Sequence, residues 1–186
     1  RGAANEDATK EDIAEMRRLV AEGLRAGALG FSTSRTSLHR AIDGRLMPGT
    51  FAAKVELMGI NAALAEVGHG VFQVAPEHAN VPAEMDLYRA LARESGRPVM
   101  FNLSQFDQDP TLWRTGLEML ESACAEGLPL IAQVAGRAIG IVMGWDLTAH
   151  PFATHPSGAQ LQSMSPAARR EALRNTSFRD QLLSET

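Results

Sequence analysis

Cysteine is nearly absent from this chain of 186 residues, and no apolar run approaches the length of a membrane span. A membrane-spanning helix needs about 20 consecutive apolar residues. The one cysteine, Cys124, excludes an internal disulfide and indicates a reducing compartment, so a cytoplasmic location is expected. Cys124 lies within a helical apolar pattern, which predicts a buried, inert thiol. No signal peptide is expected at the start of the sequence.

An excess of positive charge is also missing. The chain has 18 Lys and Arg against 22 Asp and Glu, a formal net charge of −4. Binding to nucleic acid requires a concentrated basic face, so nucleic acid is not an expected partner, and neither is a membrane. The hydrophobic share of 45% and the charged share of 22% are ordinary for a globular domain. A small-molecule substrate is the expected partner.

Several well-known catalytic motifs do not occur. The sequence has no HxH, HExxH or CxxC string, and it has neither a P-loop nor a GxGxxG string. A GxSxG nucleophile elbow is absent as well. Phosphate binding by a glycine-rich loop and a serine nucleophile at an elbow are therefore unsupported, and no catalytic residue is assigned.

Hydrophobic patterning predicts short strands that alternate with helices. The strands are expected at 28–34, 71–75, 99–103 and 130–135. The helices are expected to be opened by Thr9, Thr50, Pro82 and Pro110 and closed by Gly27, Gly68, Gly96 and Gly127. An apolar segment at 139–145, a Pro- and His-rich stretch and short helices ending near Leu183 follow.

This alternation predicts an α/β fold of parallel βα units. Two architectures fit: a doubly wound open sheet, or about half of a TIM (β/α)₈ barrel of the metal-dependent hydrolase type, which usually takes about 250 residues. Half a barrel leaves unpaired edges, so a homo-oligomer formed through exposed sheet edges is expected. We divide the chain into a polar linker at 1–8, a partial (β/α) barrel segment at 9–156 and a C-terminal helical segment at 157–186. Both ends look like cuts, so a fragment of a longer protein is expected.

Polar residues stand at the carboxyl ends of all four predicted strands, where parallel sheets bind ligands. Such residues predict either a polar pocket or a buried layer of hydrogen bonds, because unpaired polar groups are costly inside a protein. Amides can orient a polar substrate but are poor zinc ligands, so no metal ligand is assigned. The predicted pocket residues are Gln73, Asn102, Ser104 and Gln133.

A basic cluster follows the first strand. Arg35, His39 and Arg45 would suit a carboxylate-bearing ligand, since guanidinium groups bind carboxylates through two hydrogen bonds. A solvated loop is the alternative interpretation.

The remaining candidate groups carry weaker signals. His69 precedes the second strand and is expected on the surface, whereas His78 follows that strand and could reach a site. The spacing of His150 and His155 permits metal chelation, although an ordered Pro-rich loop explains it equally well. Asp146 is the one carboxylate considered as a general base.

Several strings resemble a known family. EMRRLVAEGLRAGALGFSTSRT and HRAIDGRLMPGT, followed by PVMFNLS, PLIAQVAGRAIG and HPFATHPS, are similar to the middle of the N-acyl-D-amino-acid deacylases, the D-aminoacylase-like members of the amidohydrolase superfamily. The resemblance spans about Glu15 to His155. It implies a barrel hydrolase in which one or two zinc ions activate water against the amide of an N-acyl-D-amino acid.

The resemblance also implies where the metal ligands lie. The strands present here would be the fourth to the seventh, so the family's HxH pair on the first strand and catalytic Asp on the eighth would fall outside this chain. The fifth and sixth strands usually end in metal-binding histidines, but here they read VFQVAPE and MFNLSQ, with Gln73 and Asn102 instead. Zinc is therefore expected in the full-length protein, with an incomplete metal site in this chain.

Three functions remain open at this point. The leading interpretation is a segment of an amidohydrolase-type hydrolase that acts on N-acyl-D-amino acids or related small amides. The second is a non-catalytic amidohydrolase-like binding protein that has lost its metal ligands. The third is an independent doubly wound domain that binds a small metabolite.

Overall fold

The computed structural model describes residues 6–41, 44–77, 80–106, 109–138, 140–147 and 150–185. The chain forms two compact units, one built from Arg1–His39 with Leu46–Ala138 and the other from Arg40–Arg45 with Ile139–Thr186. The three segments expected from sequence stay a prediction. The proposed linker at 1–8 lies largely outside the described residues.

The first unit alternates helices and strands, as the patterning predicts. Its elements in chain order are α1 (Lys10–Arg25), β1 (Gly30–Ser34), α2 (Lys54–Val67), β2 (Val71–Ala75), α3 (Val81–Ser95), β3 (Val99–Asn102), α4 (Leu112–Ala125) and β4 (Leu130–Gln133). The second unit contains α5 (Pro156–Ser163), α6 (Pro166–Arg174) and α7 (Thr176–Ser184). None of the helices within the described residues is long and apolar enough to cross a membrane.

Local sequence signals set several helix ends. The predicted capping box of α1 is present, since the Thr9 side chain accepts from the Asp12 N–H and the Asp12 carboxylate accepts from the Thr9 N–H at 2.9 Å. α2 and α3 end at Gly68 and Gly96, with φ angles of 79° and 63° that favour glycine.

Two predicted helix starts lie a few residues before the observed ones. α2 begins at Lys54 rather than after Thr50, because residues 47–52 form successive turns in which the Thr50 N–H bonds to the Met47 carbonyl at 3.0 Å. α4 begins at Leu112, and Pro110 lies in the turn that leads into it, where the Asp109 carboxylate accepts from the Leu112 backbone N–H at 3.1 Å.

The strand order decides between the two candidate architectures. All neighbouring strands are parallel, and they lie in the order β1-β2-β3-β4. A doubly wound sheet reverses its order at a switch point and carries helices on both faces. Right-handed crossovers that always step in one direction place every helix on the same face, as in a (β/α)₈ barrel. The first unit is therefore an open, partial TIM-barrel-like sheet.

The two faces of the sheet differ in burial. Phe72, Val74, Val99 and Phe101 are fully buried and belong to the core that includes residues of α1 to α4. Burial of such a side chain stabilises the fold by about 1.5–3 kcal/mol. The opposite, open face carries the alternate residues of each strand, all of them half-buried or exposed. They include Ser32, Gln73, Met100, Asn102, Ile131 and Gln133.

The prediction of a buried Cys124 is wrong. The thiol belongs to an exposed residue, with its Sγ 3.6 Å from the Leu130 carbonyl oxygen. The neighbouring residue of α4, Ala123, is the one fully buried in the core. The helical pattern identifies the correct element, but a rotation of about 100° per residue separates the two side chains on its surface.

The second unit is organised around a buried arginine. Arg169 of α6 donates from Nε to the Leu161 carbonyl at 2.9 Å and from Nη2 to the Met164 carbonyl at 3.1 Å. Its guanidinium carbon also lies 5.3 Å from the centre of the Trp145 ring, a cation–π arrangement. These contacts tie α5 and α6 to the segment before them.

Candidate functional site

Three polar side chains form a continuous row across the open face of the sheet. The Ser32 hydroxyl donates to Gln73 Oε1, and Gln73 Nε2 donates to Asn102 Oδ1 at 3.1 Å. We refer to Ser32, Gln73 and Asn102 as the amide row. Each member comes from a different strand: Ser32 and Gln73 are the middle residues of β1 and β2, and Asn102 is the last residue of β3.

Strand register brings these residues together. Ser32 and Gln73 are direct partners across β1 and β2, and Gln73 is opposite Met100 on β3. Asn102 lies two residues beyond Met100, so it is a diagonal neighbour of Gln73 on the same face. Asn102 is in turn opposite Gln133 of β4. The sequence indicated polar strand ends, but only the register shows which of them meet.

Arg35 is already engaged by a side chain that sequence reasoning missed. Its Nη2 donates to Glu84 Oε1 at 3.0 Å, its Nε donates to the other oxygen of Glu84, and its Nη1 donates to the Ala52 carbonyl at 2.8 Å. Both members of the pair are largely buried, with side-chain exposures of 14% and 11%. The one feature of the sequence that could have indicated this pairing is the position of Glu84, an acidic residue on the apolar side of α3. The carboxylate-binding role of Arg35 stays a prediction.

Of the other predicted site residues, His39, Ser104 and Gln133 lie at or after the carboxyl ends of their strands, whereas Arg45 does not belong to the first unit. His39 Nδ1 is 2.8 Å from Ser34 Oγ, and its ring is exposed. Ser104 is half-buried after β3, and Gln133 is exposed at the end of β4. Arg45 belongs to the second unit. The structure thus joins Gln73 to Asn102 directly.

The loops after β1 and β2 are tied to each other. Glu77 Oε2 accepts a hydrogen bond from the Ser37 backbone N–H at 2.7 Å. The candidate His78 lies outside the described residues. His69 is exposed, as predicted from its position before β2.

Tyr88 of α3 lies beneath this edge. Its side chain is fully buried and stacks on Phe101 with ring centres 5.1 Å apart. Its hydroxyl has no hydrogen-bond partner among the described residues. Burial raises the pKa of Tyr88 well above its usual range, and the nearby Glu84 carboxylate raises it further.

The described residues do not fit a zinc ion. Within the described part of the chain, no three His, Cys, Asp or Glu side chains are grouped so that they could hold a metal. Structural and catalytic zinc sites take at least three such ligands. Gln73 and Asn102, which stand where the resemblance implies histidines, hydrogen-bond to each other instead.

The candidate residues of the second unit, His150, His155 and Asp146, are placed by packing, by a helix end and by an ion pair. His150 is 5% exposed, packs on Trp145 with ring centres 4.5 Å apart, and neither of its nitrogens has a partner among the described residues. His155 occupies the N-cap position of α5. Asp146, considered above as a general base, is exposed and lies 3.5 Å from Arg169 Nη1.

A cavity of about 370 Å³ opens beside β1. Ser32 and Ser34 line it together with apolar side chains such as Leu19 and Phe31. Its volume is within the range of small-molecule sites. A larger cavity of about 500 Å³, between the start of α1 and residues 48–53, is lined by acidic residues together with apolar side chains such as Met16 and Phe51, and it does not include the amide row.

The fold and the polar edge together define the structural class of the first unit. It is a segment of parallel βα units that forms an open, TIM-barrel-like sheet with a polar site at its carboxyl edge. Three solved structures of D-aminoacylase share this fold, with a TM-score of 0.58 in each case and sequence identities of 20%, 19% and 19%. One comes from work on the binuclear metal centre of D-aminoacylase, another is a mutant in complex with copper chloride, and the third defines a subset of amidohydrolases.

The matched region is 70% of this chain and 26% of the D-aminoacylase chain, so the chain spans only part of the length of these relatives. No protein-family model matches the sequence, and no curated protein matches it. The expected fold, a partial TIM-barrel-like sheet of parallel βα units, is confirmed. At this identity, the likeness establishes the fold and leaves substrate and metal to be argued from the residues.

Proposed function

We propose that this chain forms the substrate-facing part of an amidohydrolase-type hydrolase that acts on N-acyl-D-amino acids or related small amides. The amide row carries the proposal, because it links hydrogen-bonding groups from three strands on the open face and ends with Asn102 at the carboxyl edge, where barrel enzymes bind substrate. The fold likeness to D-aminoacylase supports the class of reaction. The predicted carboxylate ligands Arg35, His39 and Arg45 belong to the same proposal.

In this proposal the residues of the chain bind and orient substrate. Gln73, Asn102, Ser104 and Gln133 contact the polar atoms of the substrate around the scissile amide. If the protein uses zinc, the residues that the structure describes do not form its binding site. We therefore assign no step of the reaction to a metal on this chain. A cytoplasmic location forms part of the proposal and rests on the single cysteine.

Hydrolysis assays on the complete protein test this function. Release of free amino acid is measured from N-acetyl-D- and N-acetyl-L-amino acids with zinc supplied. We expect turnover of at least one D-substrate. If neither enantiomeric series is hydrolysed, the hydrolase proposal is wrong.

Elemental mass spectrometry of the purified 186-residue chain, loaded with zinc and desalted, tests the metal assignment separately. We expect much less than one zinc per chain. Stoichiometric zinc would contradict this assignment and place a metal site in the chain, with His39, His78, His150 and His155 as the first residues to substitute.

A second function is binding without catalysis. The observation in its favour is that Gln73 and Asn102 hydrogen-bond to each other at 3.1 Å where the resemblance implies metal-binding histidines. A chain that has lost its metal ligands would keep the pocket and not the reaction. Saturable binding of N-acyl amino acids by a complete protein that does not hydrolyse them would support this function over the first.

We also propose that the chain binds a small-molecule substrate and that a second copy of the chain covers its sheet edges. Nucleic acid and membrane are not among the proposed partners. β1 and β4 are the outer strands of the described sheet, and unpaired strand edges promote association. A homo-oligomer would cover them. Light scattering coupled to size-exclusion chromatography measures this directly, and a monomer at all concentrations would exclude it.

A further inference from the structure

We propose that the amide row acts as a fixed hydrogen-bond donor, with the NH₂ group of Asn102 directed to an acceptor oxygen of a small amide or carboxylate ligand. The inference rests on the function proposed above for the class of ligand. The inference goes beyond that function because it names the binding atom, Asn102 Nδ2, and the hydrogen bonds that orient it. It also gives this edge of the sheet a ligand chemistry opposite to that of a metal site.

The orientation of the two amides sets the direction of the row. The Ser32 hydroxyl donates to Gln73 Oε1, and the other end of the Gln73 amide faces Asn102. Gln73 Nε2 then donates to Asn102 Oδ1 at 3.1 Å. The oxygen of Asn102 is thereby engaged, and the remaining polar atom, Nδ2, can only donate.

Asn102 has room for a ligand. Its side chain is half-buried on the open face, and its Nδ2 forms no hydrogen bond to another described residue. Gln133 lies opposite on β4 and is exposed, so a second amide is available beside it. A half-buried donor binds an acceptor more strongly than one in free solvent, because water competes less for it.

Two charged groups near this edge already have partners within the chain. Glu77 accepts from the Ser37 backbone N–H, and Arg35 is paired with Glu84. A site made of neutral donors favours an acceptor oxygen and disfavours a cation, because an amide N–H has no lone pair to offer a metal. The carbonyl of an N-acyl group and a carboxylate both provide such an oxygen.

Side-chain amide resonances in ¹H–¹⁵N NMR spectra of the chain report on the binding atom itself. With N-acetyl-D-alanine as the probe, we expect saturable shifts of the Asn102 Nδ2 resonances and smaller shifts of Gln73 Nε2. D-Alanine, which lacks the acyl carbonyl, and N-methylacetamide, which lacks the carboxylate, distinguish the two sources of oxygen. Zinc chloride is expected to leave these resonances in place.

The variant Asn102→Asp tests the direction of the row. Aspartate keeps an oxygen acceptor for Gln73 Nε2 but replaces the outward donor with a carboxylate oxygen. We expect the Kd for N-acetyl-D-alanine to rise about tenfold or more, as for loss of a hydrogen bond to a charged group. The control Gln160→Glu adds the same charge at an exposed position of α5 and should leave the Kd unchanged.

Ser32→Ala tests the origin of the orientation. Without the hydroxyl, Gln73 Oε1 loses its donor and the Gln73 amide is held less firmly, so we expect weaker binding by about threefold although Asn102 is intact. Chemical shifts of the backbone amides of β1 to β3 show whether each variant stays folded. Measurements on the unsubstituted chain do not depend on any variant folding.

The outcomes separate this inference from the proposed function. Binding through Asn102 without hydrolysis by the complete protein supports the inference and contradicts the hydrolase. Hydrolysis with an unchanged KM in Asn102→Asp contradicts the inference alone. Absence of any Asn102 shift with all three organic probes, or a shift with zinc chloride only, overturns it.

Discussion

Arg35 and Glu84 form a two-point ion pair that joins the end of β1 to the first turn of α3. The carboxylate of Glu84 lies in the first helical turn, where the helix dipole also favours negative charge. The Arg35 guanidinium in addition holds the Ala52 carbonyl, which fixes the loop before α2. One arginine therefore connects three segments around the candidate site.

Loss of Glu84 should destabilise the first unit. Glu84→Ala leaves the largely buried Arg35 without its counter-charge, and removal of one member of a buried pair costs about 3 kcal/mol. Urea unfolding of the variant measures this. The matched control is Glu171→Ala, whose partner Arg174 is 76% exposed, and it should cost less than about 1 kcal/mol. Equal effects of the two substitutions would show that burial does not set the strength of the Arg35 pair.

Tyr88 should remain protonated for as long as the chain is folded. Burial raises its pKa above the usual value of about 10, so the stability from keeping the phenol protonated is fully present below pH 10 and is lost as pH rises toward the folded-state pKa. The chain has one tyrosine, so tyrosinate absorbance reports Tyr88 alone. We expect that absorbance to appear together with unfolding in an alkaline titration.

The Tyr88→Phe variant separates the hydroxyl from the ring. The hydroxyl has no described partner, so its removal should change the free energy of unfolding at neutral pH by less than about 1 kcal/mol. The variant should also lose less stability above pH 10 than the unsubstituted chain. A marked loss of stability at neutral pH would mean that the hydroxyl makes a hydrogen bond in solution.

Gly30 should tolerate no side chain. A Cβ built on Gly30 would lie 2.0 Å from the Val71 carbonyl oxygen, which is backbone of the neighbouring strand. Gly30→Ala must therefore separate β1 from β2, and we expect a loss of about 3 kcal/mol in unfolding free energy. Gly23→Ala is the control, since nothing lies within 4 Å of its added Cβ in α1. That substitution should stabilise the chain by about 0.5–1 kcal/mol, so a loss in both variants would contradict the close approach at Gly30.

Glu185 should make the second unit sensitive to acid. Hydrogen bonds from the Ser157 side chain and backbone N–H lower the pKa of Glu185 below its usual value. A lowered folded-state pKa contributes stability above the unfolded-state pKa of about 4.3, and that stability is lost as pH falls through the folded value. Thermal unfolding of Glu185→Gln across pH 3–7 should show a lower Tm near pH 7 and a difference that narrows in acid. A constant difference across this range would assign the effect to something other than the charge.

Sequence patterning located the helices and strands of the first unit and the polar residues at the strand ends. A short apolar run after Gly70 located β2 at Val71–Ala75, and the Thr9 capping box marked the start of α1. These features depend on neighbours within a few residues, where local hydrogen bonds and side-chain periodicity dominate. The same patterning placed polar residues at strand ends without showing which of them make contact.

The architecture and the composition of the site depend on contacts between segments that are distant in sequence. The order β1-β2-β3-β4 excluded the doubly wound sheet, because strand order is set by packing between segments far apart in sequence. The Arg35–Glu84 pair spans 49 residues, and the Gln73–Asn102 hydrogen bond spans 29. The exposure of Cys124 depends on the rotation of α4 against the sheet. Such contacts follow from strand register and helix packing, which local periodicity does not specify.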